Sequence, residues 1–296
     1  MKFLTLEDGL LGVLLETKVI DVTEAGRVLG AAPGVQTLAQ LVEAGDETAQ
    51  VVWQLAKHAA AQGIACRDYA EVRPMAPIPQ PRRNLICLGK NYREHAKEMA
   101  RKMGTSMESP SHPIFFTKAT TSVIGPNDPI PRHSGITTKV DYEAELAIII
   151  GRGGSGIPRE RAMEHVFGYT ILNDVSARDL QKDHQQWFLG KSLDGFAPMG
   201  PIVAHRCIMP APHDITISCW VNGELRQHAT LAELIFDIPT IIATLSAGMT
   251  LLPGDIIATG TPAGVGMGFE PARYLQPGDE VVMEITGVGR LRNPVA

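Results

Sequence analysis

Three acidic side chains alternate along the segment "KVDYEAELAIII", which runs from Lys139 to Ile150. A β-strand points residues i, i+2 and i+4 to one face, so we expect Asp141, Glu143 and Glu145 to project together. Carboxylates at close quarters repel one another, and burial increases the cost. They therefore either splay into water, as a solvated strand end, or share a cation. The apolar "LAIII" that follows puts the acids at the edge of a core, which favours a cation in a cleft.

A fourth acid, Asp174, ends another predicted strand, in "GYTILNDVSARDLQ". Ser176 is a candidate N-cap of the helix that follows, with Asp179 three residues further on in a capping-box arrangement. This interpretation gives Asp179 a structural task and leaves Asp174 without one. Carboxylates with no histidine pair or thiolate beside them form an all-oxygen site, which suits Mg²⁺, Mn²⁺ or Ca²⁺ and not zinc.

A histidine and a glutamate have helical spacing in "LGKNYREHAKEMARKMG". If this segment is a helix, His95 and Glu98 share a face. The carboxylate can then orient the imidazole and raise its basicity, which is what a general base requires. The alternative is an incidental pair on a surface helix. Because the polar, turn-prone "TSMESPSH" follows, we expect Arg93–Pro113 to be a mobile lid that becomes ordered with ligand.

Two glycine-containing stretches do not match nucleotide-binding motifs. In "WFLGKSLDG", a phosphate-binding loop needs glycine where Gln185 stands, so Lys191 is a lone cation that can neutralise an anionic substrate. In "TGTPAGVGMG", Phe269 occupies the place of the third glycine of a dinucleotide fingerprint. We expect this loop to offer backbone N–H groups suited to a carboxylate.

The composition excludes some classes of partner. The chain has 296 residues and a formal net charge of −5, so it lacks the basic surface that nucleic acid requires. Its four cysteines lie far apart with no C-x-x-C pair, which is typical of free thiols in a reducing compartment. The sequence has no apolar run of membrane-spanning length and no recognisable secretion signal. We therefore expect a cytoplasmic protein with no membrane partner.

Prolines at positions 74, 77, 79 and 81 divide the chain. Before them, strand patterns around Asp8-Gly9 and two helical patterns predict a small α+β N-terminal domain over residues 1–73. Residues 74–82 are the predicted linker, because prolines cannot continue a helix. Residues 83–296 contain many short strand patterns, fewer helices and no regular β-α alternation. The sequence therefore predicts a β-rich α+β fold with bent antiparallel sheets and helices at the edges.

From "NLICLGKNYREHAKEM" to the C-terminus, the chain resembles the fumarylacetoacetate hydrolase (FAH) family. The segments that carry the resemblance occur in family order: "GKNYREH", "DYEAELAIIIG", "GYTILNDVSARDLQ", "GKSLDGFAPMGP", "VNGELRQ" and "PGDIIATGTPAGVG". The resemblance implies the family's mixed β-roll or sandwich fold, and Mg²⁺ or Mn²⁺ bound by Glu143, Glu145 and Asp174. It also implies a homodimer, and it makes the N-terminal segment the variable extra domain of longer members.

The same resemblance implies roles for residues around the metal. His95 and Glu98 correspond to a catalytic dyad on a lid that orders over substrate. Gln181, Lys191 and Thr261 fall where the family contacts the dicarbonyl-acid end of the substrate, and Lys191 also counts among the catalytic residues. One departure is "FFTKATTS", where many members have proline after the lysine, and it affects the edge of the substrate pocket.

The chemistry that these groups share begins with an α-keto acid. A metal chelated by such an acid stabilises the enolate that forms when the bond beyond C3 breaks. Three outcomes are open: C–C hydrolysis of an acylpyruvate or fumarylpyruvate, decarboxylation of an oxaloacetate-like acid, and tautomerisation or double-bond isomerisation of oxaloacetate-like or 2-hydroxy-dienedioate substrates. We favour hydrolysis at this point, because His95 and Glu98 can activate a water. A non-catalytic, metal-stabilised binding protein is the hypothesis from another class, and the retained dyad argues against it.

Overall fold

The computed structural model describes residues 1–104 and 110–296. Its strands, in chain order, are β1 (Lys2–Thr5), β2 (Leu11–Leu15), β3 (Lys18–Asp21), β4 (Cys66–Asp68), β5 (Leu85–Gly89), β6 (Ile114–Lys118), β7 (Val123–Ile124), β8 (Val140–Asp141), β9 (Ala144–Ile150), β10 (Val166–Asn173), β11 (Ser176–Ala177), β12 (Ala197–His205), β13 (Thr216–Val221), β14 (Glu224–Thr230), β15 (Ile256–Ala258), β16 (Glu280–Ile285) and β17 (Gly289–Pro294). The α-helices are α1 (Val22–Leu29), α2 (Leu38–Ala44), α3 (Asp46–Ala61), α4 (Arg93–Met103), α5 (Arg178–Asp183), α6 (Phe188–Lys191) and α7 (Ile238–Ser246).

One large mixed sheet runs in the order β4-β3-β2-β1-β12-β10-β9-β15-β5-β6, with β7 beside β12. A second sheet has the order β14-β13-β16-β17, and β8 pairs with β11 in a short ribbon. Strand β1 pairs antiparallel with β12, with Phe3 opposite Val203, so the large sheet continues across the predicted linker. The division into two domains stays a prediction, since the N-terminal strands extend the sheet of the remaining chain.

Strand β9 lies at the centre of the large sheet and is buried on both faces. Leu146, Ile148 and Ile150 belong to a core cluster that includes the inward side chains of the second sheet. Ala147 and Ile149 belong to the opposite cluster, which includes the apolar faces of helices α1, α2 and α3. Burial on both faces accounts for the unbroken apolar run, which a one-sided strand would interrupt with polar residues. The predicted β-rich fold with peripheral helices is confirmed.

Several local predictions were wrong in instructive ways. Helix α1 was not predicted, although Asp21 caps it by accepting from the backbone N–H of Glu24 at 3.0 Å. The segment "PRERAMEHV" has a helical pattern in the sequence, but it forms a 3₁₀ turn over Arg159–His165. The helix predicted after Ser176 has a pattern that extends to Trp187, but α5 ends at Asp183 and α6 follows it as a separate short helix. Short apolar segments allow more than one local structure, and tertiary contacts decide between them.

Among the described residues, no helix is both long and apolar enough to cross a membrane. All four cysteines are free thiols. Homodimeric assembly and a cytoplasmic location stay predictions.

Candidate active site

Three buried carboxylates converge where two central strands end. Glu143 precedes β9, Glu145 lies in it, and Asp174 follows β10. The antiparallel register puts Leu172 opposite Glu145, and the backbone N–H of Asp174 donates to the Glu143 carbonyl at 2.9 Å. Each acid offers one oxygen, and the three oxygens lie within 4.8 Å of one another. The predicted triad is therefore a single cluster in the structure.

Two lysines and an arginine, all buried, surround the triad. Lys118 Nζ donates to Asp174 Oδ1 at 2.6 Å and to the Val175 carbonyl at 3.0 Å. Lys191 Nζ lies 2.5 Å from Asp174 Oδ2 and 2.8 Å from Glu143 Oε2. Arg178 Nη2 lies 2.6 Å from Glu143 Oε1. Only the lysine of "GKS" among these three was predicted as a site residue.

The electrostatics of the triad fit a divalent cation. Burial raises the pKa of Glu145 well above its usual range, and the charges of Asp174 and Glu143 raise it further. Burial also raises the pKa of Glu143, but the charges of Lys191 and Arg178 outweigh it and hold that pKa far below its usual range. The charge of Lys191 lowers the pKa of Glu145 only in part, and no cation in residues 1–104 and 110–296 forms a salt bridge with Glu145. An all-oxygen donor set of this kind suits Mg²⁺, Mn²⁺ or Ca²⁺.

The predicted dyad also forms. His95 and Glu98 lie on α4, and His95 Nδ1 is 3.1 Å from Glu98 Oε2. His95 is buried and lines the cavity together with Glu143. The other carboxylate oxygen of Glu98 accepts from the backbone N–H of Gly264 at 3.0 Å. The predicted lid over Arg93–Pro113 includes residues 105–109, which lie outside the described residues, so the lid stays a prediction.

The glycine-rich segment 260–268, here the glycine loop, binds carboxylates of the protein itself. The backbone N–H of Gly260 donates to Glu145 Oε2 at 2.7 Å, and that of Gly264 donates to the dyad. Gly264 has φ +102°, and a Cβ there would lie 1.8 Å from the Arg226 carbonyl oxygen. The predicted carboxylate-binding backbone is therefore present, and the protein's own acids occupy the N–H groups of these two glycines.

Two expectations about neighbouring acids were wrong. Ser176 does not cap α5; its hydroxyl donates to the Asp174 carbonyl at 3.0 Å. Asp179 accepts instead from the backbone N–H of Thr138 at 3.0 Å and so fixes a preceding loop. Asp141 does not project with the triad, because the strand is interrupted between β8 and β9, and its carboxylate turns to the glycine loop. Period-2 alternation holds only while the strand is continuous.

A cavity of about 610 Å³ opens above the triad. The predicted site residues that line it are His95, Glu143, Glu145, Gln181, Lys191 and Thr261, while Asp174 and Glu98 lie behind this surface. Gln181 accepts from Arg178 Nη1 at 3.1 Å, and Thr261 accepts from Gln227 Nε2 at 2.8 Å. The cavity brings the predicted residues to one place, whereas their roles in substrate binding stay predictions.

The comparisons with known proteins agree with this geometry. Residues 84–296 match the family described as "Fumarylacetoacetate (FAA) hydrolase C-terminal". The chain is 44% identical over 290 residues to "Oxaloacetate tautomerase YisK" of Bacillus subtilis, covering 96% of this chain and 94% of that protein. It is similar to the structure titled "Fumarylacetoacetate hydrolase (EaFAH) from psychrophilic Exiguobacterium antarcticum", with 42% identity, a TM-score of 0.82, and coverage of 100% of this chain and 99% of that one.

A further similar structure is that of maleylpyruvate hydrolase from Sphingobium sp. SYK-6 "in complex with manganese (II) ion and pyruvate". The two chains are 32% identical with a TM-score of 0.78, and the match covers 100% of this chain and 99% of that one. On these matches the chain belongs to the fumarylacetoacetate hydrolase family. The named relatives include a tautomerase and hydrolases. Membership of the family therefore indicates an enzyme, and the family alone does not specify which reaction the enzyme catalyses.

Proposed function

We propose that the protein is an enol–keto tautomerase of a 2-oxo dicarboxylic acid such as oxaloacetate. The observation that carries the proposal is the pairing of one acid–base group with the carboxylate triad. Of the described residues that line the cavity, His95 alone carries an imidazole. Tautomerisation needs one group that takes a proton from carbon and returns one to oxygen, and it needs no attacking water. The 44% identity to the relative named as an oxaloacetate tautomerase supports the same choice.

His95 would carry the proton. In the keto-to-enol direction the C3–H bond breaks, its electron pair forms the C2=C3 bond, and the C2 carbonyl oxygen takes up a proton. Glu98 orients the imidazole through its 3.1 Å contact and stabilises the imidazolium that forms. Return of the proton to C3 is the reverse of the same step. The pair therefore ends each turnover in its starting state.

Glu143, Glu145 and Asp174 would hold the divalent cation. When bound, the cation supplies Lewis-acid stabilisation of the negative charge that develops on a 2-oxo acid. Lys191 adds a fixed positive charge at the same edge of the cavity, since burial lowers its pKa but Asp174 and Glu143 outweigh burial and raise it. Its ammonium group thus stays charged beside the carbonyl-binding end.

The cavity's mouth is rich in cations, which supports a substrate with a second carboxylate. Lys90, Lys102, Lys139 and Lys182 all line it. Lys102 is engaged by Glu270 at 2.8 Å, while no acidic partner among residues 1–104 and 110–296 lies within salt-bridge distance of the other three. Cations around a cleft attract and retain anions. A dicarboxylate would place one carboxylate toward the triad and the other toward these lysines.

Hydrolysis of a C–C bond is the second candidate. It is supported by the match along the whole chain to a maleylpyruvate hydrolase and by a dyad that is able to activate a water. The sequence favoured this outcome, and the relatives support tautomerisation better. The products distinguish these reactions. C–C hydrolysis and decarboxylation both release a smaller acid, whereas tautomerisation releases none.

The test is a substrate panel with the purified protein and Mg²⁺ or Mn²⁺. Decay of the enol absorbance of oxaloacetate reports tautomerisation, a coupled dehydrogenase reports pyruvate, and loss of the diketone absorbance reports acetylpyruvate cleavage. We expect catalysed enol decay to exceed pyruvate release and acetylpyruvate cleavage by at least about tenfold, a difference of roughly 1.4 kcal/mol in barrier. Cleavage that outruns enol decay would reject the tautomerase proposal in favour of the hydrolase.

A further inference from the structure

Asp141 is a fully buried acid that lies outside the carboxylate triad. Its Oδ1 accepts from the backbone N–H of Gly266 at 2.6 Å, and its Oδ2 accepts from that of Met267 at 3.0 Å. Arg178 Nε also donates to Oδ2, at 2.8 Å. The backbone N–H of the adjacent Tyr142 also donates to Oδ1, at 2.9 Å. A carboxylate that accepts from three backbone donors and a guanidinium in the interior is expensive to bury and strongly anchored. Asp141 therefore fixes one end of the glycine loop.

The residues of the same loop on either side of these contacts, Gly264 and Gly268, contact the dyad. The backbone N–H of Gly264 donates to Glu98 Oε1 at 3.0 Å. Gly268 packs directly against this side chain, since a Cβ at Gly268 would lie 2.2 Å from Glu98 Oε1. Glu98 thus has one oxygen on the loop and the other on His95. A shift of the loop would move Glu98 and, through it, the imidazole.

Arg178 links this arrangement to the metal side of the cavity. Its Nε binds Asp141, and its Nη2 lies 2.6 Å from Glu143 Oε1. Burial lowers the pKa of Arg178, but the charges of Glu143 and Asp141 outweigh burial and raise it, so the guanidinium stays charged. One rigid cation therefore spans a triad carboxylate and the loop anchor.

We propose that Asp141 is a positioning residue for the acid–base pair: it holds the glycine loop so that Glu98 presents His95 to the substrate. This inference rests on the proposed function of the dyad in proton transfer. Asp141 acts through the loop and touches neither substrate nor cation. An aspartate is required because asparagine offers a single acceptor oxygen. In one orientation its NH₂ would face the donors of Met267 and Arg178, and in the other it would face the N–H groups of Gly266 and Tyr142.

The test compares Asp141→Asn with a matched control, Asp255→Asn. Asp255 is also buried, accepts from Arg83 Nε at 2.7 Å and from the backbone N–H of Leu252 at 2.7 Å, and is absent from the cavity lining. We expect Asp141→Asn to lower kcat by about 10–100-fold, the loss that a misplacement of up to about 1 Å produces. KM and Mn²⁺ affinity should stay within about twofold of the parent. The control should lose thermal stability to a similar extent and keep kcat.

A double-mutant cycle distinguishes positioning from general destabilisation. If Asp141 acts through Glu98, the losses in kcat from Asp141→Asn and Glu98→Gln should overlap, and the double variant should be no slower than the slower single variant. Multiplicative losses would overturn the proposal. So would a fall in Mn²⁺ affinity like that of Glu143→Ala, because Asp141 would then support the triad.

A second variant covers the case in which Asp141→Asn does not fold, and hydrogen exchange covers the case in which the parent protein shows no activity. If Asp141→Asn does not fold, Gly268→Ala displaces Glu98 from the same loop with Asp141 intact, and it should show the same overlap with Glu98→Gln. If the parent protein turns over no 2-oxo acid, the proposed function fails, but hydrogen exchange still tests the anchor. Asp141→Asn should then raise amide exchange at Gly264, Gly266 and Met267 about tenfold or more relative to the parent. Unchanged exchange there would reject Asp141 as the anchor of the loop.

Discussion

Replacing Glu145 with glutamine should stabilise the metal-free protein while it weakens cation binding. Glu145 is 1% exposed, and its Oε2 accepts from the backbone N–H of Gly260, a bond that glutamine can keep through its carbonyl oxygen. One of its carboxylate oxygens lies within 4.8 Å of an oxygen of Glu143 and of an oxygen of Asp174. Two like unit charges at that separation repel by about 3.5 kcal/mol at an effective dielectric of 20.

Protonation limits this cost. Keeping a carboxyl protonated at pH 7 costs about 1.4 kcal/mol for each pH unit above its ordinary pKa of 4.5, or about 3.4 kcal/mol in total. Lys191 offsets part of the cost, so we expect Glu145→Gln to raise the free energy of unfolding by about 2–3 kcal/mol without metal. In a chain of this size that corresponds to a rise of roughly 3–5 °C in Tm.

The pH dependence has a definite sign. Because the folded-state pKa of Glu145 is raised, the folded protein binds more protons than the unfolded chain above pH 4.5, and its stability falls as the pH rises. Glutamine removes this slope. Calorimetric Tm values in EDTA from pH 5 to 8 check the prediction, with the exposed Glu160→Gln as the control that should change Tm little.

Addition of Mn²⁺ completes the experiment. The parent should gain about 2.7 kcal/mol of stability at a Mn²⁺ concentration one hundred times its Kd, and Glu145→Gln should gain much less at the same concentration. A variant that is less stable than the parent in EDTA, or that gains as much from Mn²⁺, would refute the view that Glu145 is held for a cation at a cost in stability.

Three other outcomes are expected. His95→Ala should lower kcat about 10²–10⁴-fold in steady-state kinetics and leave Mn²⁺ affinity unchanged in calorimetry, because it removes the base and no metal ligand. The kcat of Glu98→Gln should lie between those of the parent and His95→Ala, since glutamine keeps a hydrogen bond and loses the charge. Burial raises the pKa of Asp46, but hydrogen bonds from Arg206 and His205 outweigh burial and lower that pKa. The stability that Asp46 contributes is therefore lost as the pH falls through the lowered pKa. In urea unfolding, Asp46→Asn should lose less stability at acid pH than the parent does. The double variant of Lys139→Gln and Lys182→Gln should raise KM for oxaloacetate about 3–10-fold at low salt, and added salt should diminish the difference.

The sequence was informative where chemistry depends on local spacing. Glu143 and Glu145 are two residues apart at the start of a strand, and His95 and Glu98 are three apart on a helix, so periodicity predicted that each pair shares a face, while the family resemblance supplied their roles. Asp174 was predictable because it ends a buried apolar segment without a structural partner nearby in the sequence. The position of the triad at one edge of the sheet follows from the pairing of two adjacent central strands.

Residues that act through distant contacts could not be predicted. Lys118 is a lone cation in "IFFTK", and its task depends on an acid 56 positions away. Asp141 continues the spacing of Glu143 and Glu145, but its partners in the glycine loop lie more than a hundred positions further along the chain, and Arg178 lies 37 positions away. The one missed feature with a local signal was helix α1, where Asp21 and Glu24 form the D-x-x-E pattern of a helix start.

Proton exchange at C3 of oxaloacetate distinguishes tautomerisation by this protein from cleavage in a single sample. In D₂O with the Mg²⁺-loaded protein, proton NMR follows the C3 methylene signal and the methyl signal of any pyruvate in one time course. We expect the loss of the methylene proton signal to accelerate in proportion to protein concentration, while pyruvate grows no faster than without protein. His95→Ala should abolish most of the acceleration. Pyruvate that appears as fast as the C3 protons exchange, or exchange that is unaffected by the protein, would contradict the tautomerase proposal.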